Sequence, residues 1–455
     1  MISANSGASS WKKTEVSDIA FLTFIPPFTS KTMHTAIIGG GAAGFFLAIN
    51  LKEMMPEMEV TIFERSRRVL AKVEISGGGR CNCTNTFDDI KDLSAVYPRG
   101  HRLLKRLFKS FSHRDAYRWF EAHGVPLTIQ DDHCIFPAAQ DSHAIINCFL
   151  RETNRHQVHV RTQQRVVGID KTPDGRILVS AQDAISPDTA PIAEAFDFVA
   201  VTTGGSPKEE GLRWLARIGH EIAAPVPSLF TFNIEDKALR TLTGTVVEDA
   251  TAFIPGMKYR SRGSLLITHW GMSGPAILKL SSHGARLLHE KDYHQTVCIN
   301  WLSRSDTEVT EELQRIAASS QKKQLGNMRP FNDSHQLSAK LWNYLLTKAL
   351  GQRAFIRWEN LQGKEMNRLV NTLCNDSYQL SGRGSYKEEF VTCGGISLAS
   401  INASTLESRL LPHLFFAGEV LDIDGITGGF NFQAAWTTAH TVARAITAMS
   451  KPSFS

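Results

Sequence analysis

A glycine-rich turn between an apolar strand and a helix constrains this chain more than any other feature. Residues 35–64 read TAIIGGGAAGFFLAINLKEMMPEMEVTIFE, so an apolar strand at 36–38 enters the turn and a helix at 42–54 leaves it. A turn of this kind lets the backbone N–H groups at the helix start approach a pyrophosphate, and the spacing therefore predicts a dinucleotide site. The predicted cofactor-binding residues of this turn are Gly39, Gly41, Ala42, Ala43 and Gly44.

An acidic residue follows at the distance that a dinucleotide site requires. Glu64 ends a second apolar strand at 60–63, about twenty residues beyond Gly44, where a carboxylate can hydrogen-bond an adenosine ribose. A glycine turn alone also occurs for packing reasons, but the strand, helix and acid together favour the cofactor interpretation. An acid at this position disfavours NADP, and we include the adjacent Arg65 among the cofactor-binding residues.

Composition limits the class of protein. The 455 residues carry a net charge of only +5 and suggest two or three domains. Seven cysteines without regular spacing indicate a reducing compartment, and we expect a cytoplasmic protein. No apolar run approaches the length of about 18 residues that spans a membrane. Residues 1–32 precede the first strand, and we interpret them as a disordered N-terminal extension.

A second glycine cluster lies at 76–85, SGGGRCNCTN. Three successive glycines with polar flanks suit backbone that presses against a flat or phosphorylated ligand. Lys72 and Arg80 would add positive charge there. The further cofactor-binding residues predicted in this stretch are Lys72, Ser76, Gly77, Gly78, Gly79, Arg80, Cys81 and Asn82.

Cys81 has two interpretations that the sequence leaves open. Its thiol is a candidate catalytic proton donor beside a bound cofactor. It is equally a small side chain buried in a tight loop. No pattern typical of a metal site or of a nucleotide-hydrolysing phosphate loop occurs, so we expect no metal.

Two later stretches resemble flavoprotein motifs and fix the domain organisation. FDFVAVTTGG at 196–205 resembles the strand that brings backbone against the cofactor in two-dinucleotide-type flavoproteins, and LFFAGEVLDID at 414–424 resembles the motif that holds the ribityl chain of FAD. Glycines at 428–429 then open a helix whose N-terminus would face the flavin edge that becomes negative on reduction. These stretches, with one earlier strand, complete the predicted cofactor-binding set: Val166, Thr203, Gly204, Gly205, Gly418, Glu419, Gly428, Gly429, Phe430 and Asn431.

Both stretches belong to one nucleotide-binding domain, so the segment between them is an insertion. We predict a Rossmann domain at 33–205 and 385–455, interrupted by an insert domain at 206–384. Strand-forming residues with closely spaced turns make the insert β-rich at 206–302 and at about 352–384, and helical periodicity marks 303–351. This split layout argues against an NAD dehydrogenase, whose Rossmann unit is normally continuous.

Residues 100–118 are predicted to form a basic amphipathic helix. Its basic face carries Arg102, Lys105, Arg106, Lys109, Arg114 and Arg118. Such a face is either an ordinary solvated surface or an anion-binding strip for a nucleic-acid backbone, for example that of ribosomal RNA. The sequence leaves both interpretations open.

Five segments in order resemble the BaiN/RdsA-type (YhiN-like) NAD(P)/FAD-dependent oxidoreductases over about 33–446. They are ISGGGRCNCTN, GGSPKEEG, LLITHWGMSGPAIL, VTCGGISLASINASTLESRLLPHLFFAGEVLDID and GITGGFNFQAA. The resemblance implies an α/β fold with a glutathione-reductase-type FAD-binding Rossmann domain and an inserted β-barrel-like plus helical domain. It matches the turn around His269 residue by residue, and His269 is therefore a second catalytic candidate, with a purely structural turn as the alternative.

The resemblance also implies chemistry. Members of the family are linked to the reduction of unsaturated bile-acid intermediates, oxidation of aminoacetone and dihydrouridine formation in ribosomal RNA. We expect hydride transfer from reduced flavin to an activated C=C bond of a small metabolite or of uracil in ribosomal RNA. NADH or NADPH would be a transient electron donor. The alternatives are an oxidase of a small amine or amino ketone and a non-catalytic, flavin-containing RNA-binding factor.

Overall fold

The computed structural model describes residues 32–186, 188–206, 208–331, 337–384 and 391–451. The predicted N-terminal extension lies outside these ranges except for Thr32. The strands are β1 (His34–Ile38), β2 (Glu59–Phe63), β3 (Thr84–Asn85), β4 (Leu127–Ile129), β5 (Cys134–Pro137), β6 (His159–Arg161), β7 (Gln164–Lys171), β8 (Ile177–Asp183), β9 (Ile192–Phe196), β10 (Phe198–Val201), β11 (Ile222–Ser228), β12 (Phe232–Ile234), β13 (Val246–Phe253), β14 (Arg260–Ile267), β15 (Gly271–Ser273), β16 (Thr296–Asn300), β17 (Asp376–Arg383), β18 (Val391–Ile396) and β19 (Leu414–Phe416).

Helices connect and cover these strands. They are α1 (Ala42–Met54), α2 (Ala71–Gly79), α3 (His101–Leu107), α4 (His113–Ala122), α5 (His143–Arg155), α6 (Arg213–Ala216), α7 (Lys237–Arg240), α8 (Pro275–His283), α9 (Ala285–Glu290), α10 (Asp306–Ser319), α11 (Ala339–Leu350), α12 (Gly363–Cys374) and α13 (Phe430–Ser450). The end of α2 is irregular, since Ser76 is extended and Gly77 and Gly78 are left-handed. No helix in the described part of the chain is both long and apolar enough to cross a membrane.

The apolar strand before the glycine turn is the centre of a parallel sheet. Five strands run in the order β19-β10-β1-β2-β6, with every pairing parallel. The central strands are apolar on both faces, as buried parallel strands require, and α1 packs against α13 beside them. The strands β2 and β10 lie on opposite sides of β1, so the strand order switches sides at β1. Ligands of such folds bind at the carboxyl ends of the strands at this switch point.

The insert contains its own core. Strands β12-β15-β14-β13-β16-β17 close into a six-stranded barrel, and α10, α11 and α12 pack beside it. Strands β11 and β18 form an antiparallel pair outside that barrel. The α/β fold with an inserted barrel-like and helical domain is thus confirmed.

The internal boundaries of the insert differ from the prediction in two places. Leu212 and Leu215 pack in the hydrophobic core around the five-stranded sheet, whereas the core of the insert begins at Phe230. The chain at 208–215 therefore still belongs to the sheet domain. The stretch at 352–384 was predicted to be β-rich, but it contains α12, which buries Leu369 and Leu373.

The predicted basic helix at 100–118 is two helices. The chain leaves α3 after Leu107 and restarts at α4, where the Ser112 backbone N–H donates to the Asp115 carboxylate (2.8 Å) in a capping box. Both helices bury their apolar faces and pack on α13, so the basic side chains lie outside. We call the exposed cations on α3, on α4 and between them the basic surface; its members are Arg102, Lys105, Arg106, Lys109, Arg114 and Arg118.

Candidate functional site

The first glycine cluster joins the carboxyl ends of three strands. The Gly39 N–H donates to the Phe63 carbonyl at 2.8 Å, which links β1 to the end of β2. A Cβ on Gly39 would lie 2.5 Å from the Thr202 carbonyl oxygen and 2.8 Å from the Cα of Thr203, which follows β10. Gly44 is equally tight, because its Cβ would lie 2.1 Å from the Gly39 carbonyl oxygen. These two glycines let helix and strand approach each other.

Gly41 differs from its neighbours because it faces open space. No atom lies within 4 Å of the position that its Cβ would take. Gly41 is also the N-cap residue of α1, which has no side-chain cap and no acidic residue in its first turn. The N–H groups that begin α1, around Ala42 and Ala43, are therefore available to an anion.

Glu64 lies at the end of β2 and accepts two backbone hydrogen bonds. The Gly40 N–H donates to Oε2 at 2.9 Å, and the Ser66 N–H donates to Oε1 at 2.7 Å. These bonds fix the carboxylate beside the glycine turn. That placement suits the predicted contact with a ribose.

A shallow cavity continues from this end of the sheet. It has a volume of about 320 Å³ and is lined by Arg65, Ser66, Arg165, Gln182, Asp183 and Ala184. Val166 lies next to the cavity in sequence, but its side chain is buried in the core. Arg65 therefore borders a space open to a ligand, whereas Val166 does not line that space.

The distant second half of the site comes directly against the first. A Cβ on Gly418 would lie 3.0 Å from the Cβ of Ala43 at the start of α1. The Gly418 N–H donates to Thr438 Oγ1 of α13 at 2.9 Å. The fold thus brings the glycine turn after β1 and the predicted motif at 414–424 together.

Glu419 occupies a charged cluster at this junction. Lys72 Nζ lies 2.9 Å from Oε2, and the Thr392 N–H donates to Oε1 at 2.8 Å. A Cβ on Gly205 would lie 2.7 Å from Oε1, and one on Gly204 would lie 3.7 Å from Oε2. Lys72 therefore pairs with an acid of the site instead of standing free for a phosphate.

The surroundings hold Glu419 in its charged form. Burial on its own would raise the pKa of the carboxyl, but the charge of Lys72 and the N–H of Thr392 outweigh burial and lower the pKa. Its side chain is 20% exposed, so one edge of the carboxylate faces solvent or a ligand. An ionised acceptor at this position can bind ribityl hydroxyl groups.

The second glycine cluster presents backbone on one side and packs on the other. Gly77 is packed, since its Cβ would lie 2.9 Å from the Asn82 nitrogen. Gly78 and Gly79 have φ values of 69° and 82° and no atom within 4 Å of a Cβ position. Three neighbouring left-handed glycines that end in open space form a backbone cradle of the predicted kind.

Ser76 and Arg80 hold this cradle from within. The Ser76 hydroxyl donates to the Val73 carbonyl at 2.8 Å, and its carbonyl accepts from the Cys81 N–H at 3.0 Å. The Arg80 guanidinium stacks over Phe136 at 4.3 Å and donates to Gln140 Oε1 at 3.2 Å. The Arg80 charge is therefore engaged with the protein at the border of the cradle.

Hydrogen bonds join the segment after the cradle to the start of α13. Asn85 Nδ2 donates to the Gly428 carbonyl at 3.2 Å. A Cβ on Gly429 would lie 2.3 Å from the Thr84 carbonyl oxygen, so only glycine fits there. With its amide oxygen turned toward α13, Asn82 accepts from the Gly429 N–H at 3.2 Å. The second and last predicted motifs are thus joined as well.

Phe430 and Asn431 contribute packing and loop structure at the same helix start. The Phe430 ring is buried, and its carbonyl accepts from Tyr97 Oη at 2.8 Å. The Asn431 amide bonds the Gly425 backbone in both directions, at 2.8 and 2.9 Å. Both side chains are committed to the protein, so their backbone N–H groups are what the helix N-terminus offers a ligand.

The two catalytic candidates occupy different surroundings. Cys81 is fully buried at a φ of 60°, directly after the cradle. This burial fits the packing interpretation that the sequence left open. His269 is exposed in the β14–β15 turn, and its ring contacts that of Trp270 at 4.0 Å. That turn joins two strands of the barrel, and Arg240 at the end of α7 donates to the Trp270 carbonyl.

Sequence reasoning missed residues that hold the two halves together. Thr202 Oγ1 donates to the Gly39 carbonyl at 2.9 Å, and the Thr392 N–H fixes Glu419. Arg99 forms a buried ion pair with Asp424, which also accepts from Ser228 Oγ at 3.1 Å. Thr392 and Asp424 lie inside the family-like segments of the sequence. Their partners Glu419 and Arg99 become evident only from the folded structure.

Taken together, the open glycines fit an extended adenine dinucleotide. Gly41 at the start of α1 can meet the pyrophosphate, Glu64 the ribose, Glu419 the ribityl chain and the cradle a flat ring system. These groups lie on one edge of the sheet, and the residues present fit FAD. Among the described residues, no cluster of acidic, histidine or cysteine side chains could hold a metal ion.

Comparison with known proteins agrees with this site. The family model described as HI0933-like protein Rossmann domain matches residues 33–445. The chain is 26% identical over 420 residues to the ribosomal RNA dihydrouridine synthase of Escherichia coli, covering 90% of this chain and 96% of that protein.

Two further relatives are similar over the same length. The 3-dehydro-bile acid delta(4,6)-reductase of Clostridium scindens is 23% identical over 422 residues, or 90% of this chain and 98% of that protein. The ribosomal RNA dihydrouridine synthase of Haemophilus influenzae is 25% identical over 422 residues, which cover 92% of this chain and 99% of that protein. The names of these relatives describe reductions or the formation of a reduced base.

Proposed function

This chain belongs to the HI0933-like protein Rossmann domain family, and we propose that it reduces the activated C=C bond of uracil in ribosomal RNA. It is an FAD-dependent oxidoreductase, as the sequence predicted. The observation that carries the choice of substrate is the basic surface, which lies on helices packed against α13. We place the reaction in the cytoplasm, together with its RNA.

The reaction adds two electrons and two protons to the substrate, in the form of one hydride and one proton. When bound and reduced, FAD would supply the hydride, a proton would complete the saturated bond, and NADH or NADPH would be the electron donor. The residues of this chain hold the reactants. The uncapped start of α1 would neutralise the pyrophosphate of bound FAD, and the backbone N–H groups of Phe430 and Asn431 at the start of α13 would stabilise the negative charge that develops on the flavin.

The basic surface supports an RNA substrate. All six of its cations are exposed, and among them only Arg118 has a carboxylate partner in the described structure, Asp115 at 2.7 Å. Five unpaired cations on neighbouring helices would attract a polyanion and release its counterions. Both relatives named as ribosomal RNA dihydrouridine synthases are similar to this chain over more than 90% of their length.

A small unsaturated metabolite is the second candidate, because the Clostridium relative is named as a bile acid reductase. A small substrate without a phosphate backbone would gain little from a surface with several separated cations. The two candidates therefore predict different responses when positive charges are removed from the basic surface. A triple variant, Arg102→Gln, Lys105→Gln and Lys109→Gln, would weaken turnover of RNA and leave turnover of a small enone unchanged.

The direct test uses the FAD-loaded protein under anaerobic conditions. NADH or NADPH first reduces the flavin, and unmodified ribosomal RNA is then added. We expect return of the oxidised flavin spectrum and an equal amount of dihydrouridine by mass spectrometry of the digested RNA. The control is the same RNA whose uridines have already been chemically reduced, which should leave the flavin reduced.

Three results would contradict the proposal. A purified protein that stays colourless after FAD is supplied would show that the protein does not bind FAD. Flavin that reoxidises with a small enone and never with RNA would select the metabolite. Rapid reoxidation by air alone, with turnover of an amine, would select the oxidase.

A further inference from the structure

A second cavity lies away from the flavin-binding edge, beside the basic surface. It has a volume of about 280 Å³ and forms where α3, α13 and the turn at 404–405 meet. Its lining residues are Arg106, Leu107, Ser110, Ser404, Thr405, Thr441, Arg444 and Ala445. We call it the Arg106–Arg444 pocket.

The lining of this pocket has the chemistry of a phosphate site. It contains two guanidinium groups and four hydroxyl groups, and no carboxylate. Arg444 donates to Ser110 Oγ, which orients its guanidinium at the pocket. Arg106 has no ion-pair partner among the residues that the structure describes. Planar guanidinium groups with hydroxyl donors beside them match the oxygens of a phosphate group.

The nearest acidic side chain in sequence is turned away from this lining. Glu407 Oε1 accepts from the His413 N–H at 2.8 Å, and the Glu407 N–H donates to Thr405 Oγ1 at 3.3 Å. The Thr405 hydroxyl proton therefore remains available to a ligand. The described lining of the pocket thus carries two positive charges and no carboxylate.

The position of the pocket relates it to the reaction site. Arg444 lies fifteen residues beyond Gly429 on the same helix, which corresponds to about 22 Å along α13. Arg106 is a member of the basic surface, so the pocket continues a positive surface that runs beside this helix. A bound phosphate there would be too distant to react and close enough to anchor a polymer.

We propose that the Arg106–Arg444 pocket binds a backbone phosphate of the RNA substrate, several nucleotides away from the base that is reduced. This inference rests on the proposed function. A free phosphate or the phosphate of a small nucleotide has the same chemistry. The continuity of the pocket with the basic surface favours the polymer.

The test measures binding without turnover. A fluorescently labelled, uridine-containing single-stranded RNA is titrated with FAD-loaded protein at several KCl concentrations, and anisotropy gives Kd. The variants are Arg106→Gln, Arg444→Gln and the double variant. Arg368→Gln is the matched control, because Arg368 is an exposed arginine on α12 of the insert.

We expect each pocket variant to weaken RNA binding and to lower the slope of log Kd against log salt by about 0.7, with about 1.4 for the double variant. The control should retain the wild-type slope. Unchanged flavin absorbance and melting temperature in each variant would show that the fold and cofactor site remain intact.

Competition by inorganic phosphate separates the two sources of the ligand. Millimolar phosphate could raise the melting temperature of the wild-type protein while RNA affinity and salt slope are the same in all variants. In that case the pocket binds free phosphate and the proposal is wrong. If the RNA slope falls as expected while no dihydrouridine ever forms, the pocket stands and the proposed reaction fails. If dihydrouridine forms and the slope is unchanged, the reaction stands and the pocket assignment fails.

Discussion

The two glycine clusters of the site use the same residue for opposite purposes. In the first cluster, Gly39 and Gly44 are enclosed by backbone, with hypothetical Cβ atoms 2.5 and 2.1 Å from carbonyl oxygens. In the second, Gly78 and Gly79 meet nothing within 4 Å. The first kind holds the protein together, and the second kind leaves room for something that is not protein.

Gly41 shows that the distinction does not follow the motifs. It lies between the enclosed glycines of the first cluster, yet it faces open space and has an ordinary backbone conformation. A side chain at Gly41 would thus disturb only a ligand. The comparison teaches that a glycine motif is a mixture of packing positions and ligand positions, which substitutions can separate.

The largest effect is expected for Gly44→Ala. The added methyl would overlap the Gly39 carbonyl, so α1 must move away from β1, and we expect a loss of about 3 kcal/mol in the free energy of unfolding. Urea unfolding of the apoprotein measures it. Gly168→Ala is the control, since no atom lies within 4 Å of that Cβ position, and it should stay within about 0.5 kcal/mol. Equal stability of the two variants would refute the packing assignment.

Gly41→Ala should separate binding from folding. We expect wild-type stability of the apoprotein and an FAD affinity weaker by roughly tenfold to a hundredfold, which is about 1.4 to 2.8 kcal/mol. Flavin fluorescence quenching on titration of the apoprotein gives Kd. An unchanged Kd would mean that the pyrophosphate does not approach the start of α1.

Gly78→Ala tests the cradle and should have a moderate effect. The left-handed φ of 69° costs alanine about 1 kcal/mol of stability, but no clash adds to it. FAD affinity should fall beyond this stability loss if the cofactor lies against the cradle. A drop in stability with wild-type FAD affinity would assign the open space to the substrate instead.

The smallest effect concerns the ion pair of Glu419 and Lys72. The lowered pKa of Glu419 means that its carboxylate stabilises the folded protein above its ordinary pKa of 4.5, and that this contribution disappears as the pH falls through the lowered value. Because Lys72 is the main favourable influence, Lys72→Met should flatten the pH dependence of stability by up to about 1 kcal/mol. Urea unfolding between about pH 3 and 6 measures it, with exposed Lys322→Met as the control. A variant with the wild-type pH profile would rule out the coupling.

Local patterns were sufficient for the core of the fold. The strand, turn and helix at 36–54 follow from neighbouring residues, since burial and glycine geometry act within a few positions there. The insert was predictable because the two flanking motifs had to share one sheet, and the family resemblance implied its barrel. Contacts that depend on strand pairing were not predictable, and Thr202 and Thr392 show this: both touch the site only through partners far away in sequence.

Two errors came from overlooking the signals that begin a helix. The apolar face of α3 continues in phase into α4, which concealed the capping box of Ser112 and Asp115. A similar box of Gln362 and Glu365 begins α12 in the stretch predicted as strands. In both places the capping pair was present in the sequence and indicated the boundary better than periodicity did.

The contact between Gly418 and Ala43 has a consequence for synthesis of the chain. A ribosome that adds about 5 to 20 residues per second takes roughly 20 to 80 s to pass from Gly44 to Gly429. During that time the barrel can close, since all of its strands precede residue 384, but the sheet lacks β19 and α1 lacks α13. The nascent chain must therefore shield an unfinished apolar surface until its last tenth emerges, and only then is the predicted cofactor site complete.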